Sequence, residues 1–217
     1  MHVEQGRALA PAGVPLGVAT SLAARSRFAF TCVGAANHAG TTPMAERHDA
    51  LVAAARLVLA ADRAARDEPG AVATIGQLEV EPGGSNVIPG RVTGTLDVRA
   101  PDPGRRDAVV AAITAAAPGV TMQELAADPG VAFDAPVRAA LHEAAGSSAI
   151  DLASYAGHDA GVLAAAGVPA GMLFVRSPDG VSHDPGEHAD EADCLAGIAT
   201  LERALHACLG AVPPIAG

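Results

Sequence analysis

The sequence predicts an α/β and α+β protein, in which a β-α-β-β-α-β segment separates two stretches of a different organisation. Four short stretches between residues 26 and 126 are predicted to be strands, and in two of them, 27–33 and 91–99, apolar and polar residues alternate, as is typical of half-buried strands. Two stretches with a helical period lie between them. From residue 134 onward, helical periods and one short, continuously apolar run replace the alternation, which indicates a second kind of unit.

Four strands are expected in the alternating segment. Phe28, Phe30 and Cys32 fall on one side of the first, and the intervening residues fall on the other. The second and third strands flank a Pro/Gly-rich turn at 82–85. The four strands cover residues 27–33, 72–81, 91–99 and 120–125.

Two helices complete this segment. The first is expected to begin at Thr42, with Pro43 at the first helical position, and to run to about Arg66. Its apolar stripe consists of Leu51, Ala55, Val58 and Leu59. The second begins at Asp102 and Pro103. The order is the ferredoxin-like split βαβ pattern, a four-stranded antiparallel sheet with two helices on one face.

The part from residue 134 onward predicts α/β material. We expect a helix over 136–145, a short helix that His158 opens, a buried parallel strand over 171–175 and a polar loop over 176–187. The final helix carries an apolar stripe of Cys194, Ile198, Leu201, Leu205 and Cys208. The chain is therefore divided into residues 1–24, 25–127 and 128–217, of which the first and last belong to one domain.

Composition excludes several classes of function. Hydrophobic residues make up 50% of the chain and charged residues 18%, which excludes a disordered tail. Aromatic residues make up 2% and the net charge is −10, so neither nucleic acid nor an anionic membrane is expected as a partner. The 3 cysteines are widely spaced and are expected to be reduced core residues of a cytoplasmic protein.

His183 is a candidate metal ligand, because it lies in a polar loop directly after the predicted buried strand. Sites in open α/β sheets gather where strands end, and a neutral imidazole binds divalent metals well. The alternative is a loop histidine that makes an ordinary hydrogen bond.

His38 and Arg99 are candidates for binding an anionic or polar substrate group. His38 lies in a Gly-containing loop before a predicted helix, where an oxyanion or carboxylate can bind. Alternatively, Asn37 and Thr42 simply form the turn and cap the helix. Arg99 can hold a carboxylate through two parallel hydrogen bonds, although an arginine on the outer face of a strand is often only solvated.

Six segments in a fixed order carry a more specific signal: residues 2–6 (HVEQG), 37–44 (NHAGTTPM), 86–90 (NVIPG), 96–99 (LDVR), 156–160 (AGHDA) and 172–176 (MLFVR), the last followed by Ser182 and His183. Together they closely resemble the binuclear metal-dependent amidases that include allantoate amidohydrolase, N-carbamoyl-L-amino-acid hydrolase and ureidoglycolate-type enzymes. The likeness extends over essentially the whole chain.

The resemblance implies a zinc-peptidase-like α/β catalytic domain interrupted by a β-α-β-β-α-β domain, which serves as a lid and forms a homodimer. It implies that His2 and His183 are metal ligands, one for each of two divalent ions, zinc or manganese. These ions activate a bridging water and polarise a carbonyl.

The resemblance also implies the roles of residues that contact the substrate. Asn86 and Arg99 would hold its carboxylate, and His38 would act as a catalytic residue that supports the reacting carbonyl from the partner subunit. Gln5 and His158 would line the site. Arg25 stands where the family usually has a glutamine, and it is therefore expected to touch the substrate and to change which substrate the enzyme prefers.

The sequence departs from the family at one further point. The family's H-x-D segment, its metal-bridging aspartate and its Glu-Glu pair belong to an N-terminal half that this sequence does not contain. We therefore expect the C-terminal part of an enzyme, inactive alone. We also expect the strand at 171–175 to have an exposed edge.

The expected activity is hydrolysis of a linear amide or ureido C–N bond, in N-carbamoyl amino acids or allantoate-like ureido acids. One alternative is a non-catalytic dimerisation module. Another is a relative of the aminoacylases or dipeptidases. If the protein is an enzyme, its expected substrate is a small carboxylate-bearing molecule. A second copy of the chain is expected as a partner in every case.

Overall fold

The structure is a computed structural model that describes residues 1–210. It divides into two units: Met1–Leu22 together with the described residues from Val131 onward, and Ala23–Gly130. The strands are β1 (His2–Val3), β2 (Leu16–Leu22), β3 (Ala24–Val33), β4 (Val72–Glu81), β5 (Arg91–Ala100), β6 (Thr121–Asp128), β7 (Val131–Ala132), β8 (Ala149–Ser154) and β9 (Leu173–Val175). The helices are α1 (Leu9–Ala12), α2 (Ala50–Asp67), α3 (Pro103–Ala116), α4 (Ala135–Ala145), α5 (Asp159–Ala165) and α6 (Glu191–Gly210).

The unit of residues 23–130 contains a four-stranded sheet in the order β4-β5-β3-β6, in which all neighbours are antiparallel. The alternation of the sequence explains its two faces. Phe28, Phe30 and Cys32 of β3 are buried with Val92 and Leu96 of β5, in a core that α2 and α3 complete. The four predicted strands are confirmed, with ends that differ by three residues at most.

The prediction that this helix, α2, starts at Thr42 and Pro43 is wrong. The helix begins at Ala50, where the Asp49 carboxylate accepts hydrogen bonds from the backbone N–H groups of Leu51 (2.9 Å) and Val52 (3.3 Å). Residues 44–46 form only a short 3₁₀ turn. An aspartate at the N-cap satisfies free N–H groups of the first turn, and this cap determines the helix start.

The predicted apolar stripe of α2 is also wrong. Leu51, Val58 and Leu59 are exposed, and Leu59 keeps 64% of its accessible surface. The buried face consists instead of small residues around one leucine: Ala50, Ala54, Leu57, Ala60 and Ala61. Alanine side chains let the helix approach the sheet closely, so the larger apolar residues remain on the outside.

The other unit contains a five-stranded sheet in the order β1-β9-β2-β7, with β8 also paired to β2. β9 runs parallel to β1 and antiparallel to β2. The strand predicted at 171–175 therefore has a neighbour on both sides, and the expectation of an exposed edge is wrong. Strands β2 and β8 were not predicted, because neither has a clear period of two.

Helices α5 and α6 belong to this second unit. His158 caps α5 as predicted, since its Nδ1 accepts a hydrogen bond from the backbone N–H of Ala160 at 3.1 Å. In α6 the expected stripe is wrong at Ile198 and Leu205, which are exposed. Gly197 is buried instead, and a Cβ there would come within 2.8 Å of a Val175 methyl group. Among residues 1–210, no helix is long and apolar enough to span a bilayer.

We expect Gly94→Ala to destabilise the unit of residues 23–130 by about 1–3 kcal/mol, because extra atoms in a packed core force side chains and backbone to move. A Cβ at Gly94 would lie 2.4 Å from the Gln77 carbonyl oxygen and 2.5 Å from Phe30 Cζ. Thermal unfolding and hydrogen exchange of β5 measure the effect. At Gly76, on the neighbouring strand, a Cβ would meet no described atom within 4 Å, so Gly76→Ala is the matched control. Equal losses in both variants would contradict the prediction.

Candidate active site

The first part of the site is built where β1 and β9 end. Because the two strands are parallel, their carboxyl ends lie at the same edge of the sheet. The Glu4 backbone N–H extends this pairing by donating to the Val175 carbonyl at 2.9 Å. The buried Glu4 carboxylate accepts from the N–H groups of Ala8 and Leu9, at 2.5 and 3.2 Å, and so fixes the turn that follows β1.

The Glu187 carboxylate joins the segment after β1 to the loop after β9. Its Oε1 accepts a hydrogen bond from Gln5 Nε2 at 2.9 Å, and its Oε2 accepts from the His183 backbone N–H at 3.0 Å. Gln5 and His183 both have left-handed backbones, with φ of 56° and 58°. Such conformations are uncommon for residues other than glycine and persist where the surroundings hold them.

Glu187 was missed by sequence reasoning, which considered only the histidines of this loop. The hydrogen bond from Gln5, followed by that from the His183 backbone, holds the pKa of Glu187 below its ordinary value. Glu187 is therefore a carboxylate at neutral pH. The available signal was an acidic residue four positions after His183 in a loop that Pro185 and Gly186 turn back on itself.

Two further contacts hold the same loop. Arg7 Nε donates to the Asp179 carbonyl at 2.8 Å. Gly180 has a φ of 60°, and a Cβ there would lie 2.6 Å from the Gly6 carbonyl oxygen, so only glycine allows this close approach. The loop that carries His183 is thus attached to the segment after β1 at three points.

His2 and His158 lie together in this unit, with ring centroids 5.2 Å apart and planes at 84°. His2 Nδ1 lies 2.7 Å from the Val3 carbonyl oxygen, a partner that only a protonated nitrogen can satisfy. That tautomer leaves the Nε2 lone pair of His2 available. Burial, followed by the neighbouring His2, lowers the pKa of His158, which keeps the His158 ring neutral near pH 7.

The chemistry of His2 and His183 fits a divalent metal ion, but the number of ligands does not. His2 offers a neutral ring nitrogen, and the His183 side chain is exposed to solvent. Across the described part of the chain, no group of three His, Cys, Asp or Glu side chains is placed to hold a metal ion. Zinc sites take three or four protein ligands each. These residues therefore supply donors of the right type without completing a site.

In the unit of residues 23–130, backbone hydrogen bonds bring together His38 and Asn86. The Ala39 N–H donates to the Asn86 carbonyl at 2.9 Å, and the Ile88 N–H donates to the Asn37 carbonyl at 2.8 Å. The Asn37 side chain and the Thr42 hydroxyl both bond within the turn, as the alternative interpretation expected, but Thr42 does not cap the helix, which begins at Ala50. The His38 and Asn86 side chains remain exposed.

Arg47 holds the His38 loop by hydrogen bonds to two backbone carbonyls. Its guanidinium donates to the Ala39 carbonyl and, through Nε at 3.1 Å, to the Thr42 carbonyl. His38 Nδ1 accepts a hydrogen bond from the Gly40 N–H at 3.0 Å. This contact fixes the ring and directs the proton to Nε2, so His38 presents an N–H donor to solvent.

Arg99 and Asn86 are not brought together in one chain. β5 begins at Arg91, and with a rise of about 3.3 Å per residue its Arg91–Arg99 stretch spans about 26 Å. Asn86 precedes the beginning of this strand, and Arg99 lies near its end. Arg99 is instead the direct cross-strand neighbour of Arg25 on β3.

Comparisons with known proteins agree with the motifs. Residues 1–207 match Peptidase family M20/M25/M40. The N-carbamoyl-L-amino acid amidohydrolase of Geobacillus stearothermophilus is 41% identical over 212 residues, which cover 93% of this chain and 52% of that protein. The allantoate amidohydrolase of Bacillus subtilis is 34% identical, covering 95% of this chain and 53% of the relative.

A solved structure shows the same likeness. The crystal structure of a hydantoinase/carbamoylase family amidase from Burkholderia vietnamiensis superposes with a TM-score of 0.86 at 36% identity, covering 94% of this chain and 52% of that one. The chain belongs to the M20/M25/M40 peptidase family, and the resemblance inferred from its motifs is confirmed. It spans about half the length of the curated relatives it matches.

We expect Glu187→Gln to loosen the His183 loop. A glutamine side chain keeps the size but replaces one carboxylate oxygen with an NH₂ group that cannot accept, so it loses the hydrogen bond from either Gln5 or the His183 backbone. Hydrogen exchange at the His183 amide should accelerate, and the Gln5 side-chain NH₂ signals should shift in the ¹⁵N NMR spectrum. Glu202→Gln, on the exposed side of α6, is the control. An unchanged exchange rate at His183 would show that the carboxylate does not order the loop.

Proposed function

We propose that this chain is the C-terminal part of a metal-dependent amidohydrolase that cleaves a linear amide or ureido C–N bond. N-carbamoyl amino acids and allantoate-like ureido acids are the proposed substrates, in line with the names of the relatives. One observation carries the proposal: the Gln5–Glu187–His183 link attaches the loop of one candidate ligand to the segment of the other, across 182 residues of sequence.

His2 and His183 are the proposed metal ligands, one for each ion of a zinc or manganese pair. Such a pair, when bound, supplies an activated water and a polarised carbonyl, which a poorly electrophilic ureido carbon requires. His2 would offer Nε2, because its Nδ1 already faces the Val3 carbonyl. Gln5 and His158 are proposed to line the same site, since both lie beside these residues.

The substrate's carboxylate is assigned to Arg99, which holds a charged group well because its fork donates two parallel hydrogen bonds. We assign His38 and Asn86 to the other end of the substrate, and we propose that a second copy of the chain supplies them. The length of β5 supports this division, because Asn86 precedes the beginning of the strand and Arg99 lies near its end. His38 would then donate its Nε2–H to the reacting carbonyl.

The unit of residues 25–127 is accordingly proposed as the ferredoxin-like lid and dimerisation domain. The exposed apolar residues of α2, with Leu59 at 64% and Val52 at 45% of their accessible surface, support an interface there. Cys32, Cys194 and Cys208 are free thiols, which is consistent with the cytoplasmic location proposed for the protein.

One specific observation favours a non-catalytic dimerisation module for the chain by itself. Within residues 1–210 no three potential ligands are clustered, so metal-dependent turnover requires groups from elsewhere. An aminoacylase or dipeptidase relative is the nearer alternative, and substrate choice distinguishes it from a carbamoylase.

The activity is tested with a chimaera in which the N-terminal half of the Geobacillus relative precedes this chain. With manganese or zinc, the chimaera should release ammonia from N-carbamoyl amino acids or allantoate, and the chain alone should not. His183→Ala and His2→Ala should each lower kcat/KM of the chimaera by at least about a hundredfold, because each removes a ligand.

Controls separate the roles in this assay. His206→Ala, at an exposed position of α6, should leave the rate unchanged. Hydrolysis of N-acetyl amino acids or dipeptides with no ureido activity would favour the aminoacylase or dipeptidase alternative. A folded, metal-loaded chimaera with no activity on any of these substrates would refute the proposed reaction.

Dimerisation is tested by sedimentation. The chain should sediment as a dimer at micromolar concentration, and Leu59→Glu should shift it toward the monomer, because a charge at an apolar interface is desolvated without a partner. Ala111→Glu, at an exposed position on the neighbouring helix α3, is the matched control. A monomeric wild-type chain would exclude the interface.

A further inference from the structure

Two arginines face each other on the open side of the sheet in the unit of residues 23–130. Arg25 on β3 is the direct cross-strand neighbour of Arg99 on β5. Residues on either side of them, Ala24, Ser26, Val98 and Ala100, are buried on the helix side, so the two arginines share the other face. Directly opposite side chains in antiparallel strands have Cβ atoms about 5 Å apart.

This arrangement is unfavourable without a negative partner, because like charges directly opposite each other destabilise a sheet. Both arginines have an acidic neighbour in the structure. Arg25 Nη2 lies 3.2 Å from Asp128 Oδ2, and Arg99 contacts both oxygens of Asp97, through Nε at 2.7 Å and Nη2 at 3.4 Å. Asp97 is shared with a third arginine, Arg27, at 3.4 Å. The cluster therefore holds three guanidinium groups and two carboxylates.

Arg25 is the less satisfied member of the pair. Its Nε is buried and has no hydrogen-bond partner within the described residues, while Asp128 contacts only the end of the guanidinium. Asp128 itself is weakly held, with 60% of its side chain accessible. If the Arg25 side chain turns toward a ligand carboxylate, Nε and Nη can donate together in the bidentate geometry that guanidinium groups favour.

We propose that Arg25 and Arg99 together bind a ligand with two acid groups, one carboxylate on each guanidinium. One carboxylate fills the fork of one arginine, so two opposed guanidinium groups are best matched by two acid groups a few bonds apart, which would replace Asp128 at Arg25 and Asp97 at Arg99. This inference rests on the proposed function in one respect: the ligand is identified as the N-carbamoyl derivative of a dicarboxylic amino acid. Arg25 is then the specificity-determining residue, and Arg99 binds the carboxylate common to all substrates.

The test compares two probes that differ in a single acid group, N-carbamoyl-L-aspartate and N-carbamoyl-L-asparagine. Their affinities for the 217-residue chain are measured by NMR titration at fixed salt, following the Arg25 and Arg99 Nε–H signals. We expect the aspartate derivative to bind about fivefold more tightly, as suits a charge pair that remains partly solvated. Higher ionic strength should reduce this preference.

Three variants make the test specific. Arg25→Gln should abolish the preference for the aspartate derivative and leave binding of the asparagine derivative in place. Asp128→Asn removes the internal competitor of Arg25, and it should strengthen the preference. Arg91→Gln changes an exposed arginine on the same strand and face, and it should leave the preference unchanged.

The outcomes separate this inference from the proposed reaction. Equal affinity for both probes, no binding of either, or a preference that survives Arg25→Gln would each overturn the arginine pair. A preference lost equally in Arg91→Gln would show general charge attraction and also overturn it. A chimaera that hydrolyses N-carbamoyl amino acids without such a preference refutes the pair alone, whereas an inactive chimaera with the preference intact refutes the reaction alone.

Discussion

The candidate site depends on one carboxylate that accepts two hydrogen bonds from residues in strained backbone conformations. Left-handed conformations of residues other than glycine cost about 1–3 kcal/mol each, and they persist where the surrounding contacts determine them. At Gln5 and His183 those contacts come from Glu187. Because the same side chain holds both residues, the ends of β1 and β9 are positioned relative to each other. Glutamine, a neutral side chain of the same length, loses one of these two bonds because its NH₂ group cannot accept.

Small side chains explain why sequence reasoning predicted the helices but not their buried faces. The period of α2 was correctly identified, yet its buried face consists mainly of alanines, and its larger apolar residues are exposed. The same holds for α6, where Gly197 and Ala204 are buried and Leu205 is exposed. Hydrophobicity ranks leucine above alanine, but close packing of a helix on a sheet favours the smaller residue. In such an alanine-rich chain, periodicity predicts where the helices form better than it predicts which face of each helix is buried.

The strands show a similar division between what the pattern predicts and what it leaves out. β4 was predicted at the observed residues, 72–81, although none of its residues is fully buried. β2 begins with four buried residues in succession, so it has no alternation to detect. The histidines and Arg99 could be selected from their loops and motifs. Glu187 could not be selected by that logic, because its role follows from a contact with Gln5 that only the folded chain creates.

The length of β5 separates two groups of candidate site residues. A strand of 10 residues is a rigid spacer of about 30 Å, and it places the His38–Asn86 loops at one end and the Arg25–Arg99 pair at the other. No small substrate can reach both groups of one sheet. If both groups serve the proposed reaction, they serve two different active sites. Under the proposed function, each site would then need the sheet of a second copy, so that dimerisation would follow from the chemistry. Arg25 lies at the Arg99 end of the sheet, to which the proposed function assigns the substrate's carboxylate. Under that proposal, a change of charge at Arg25 would alter which substrate is preferred without disturbing the His38–Asn86 end.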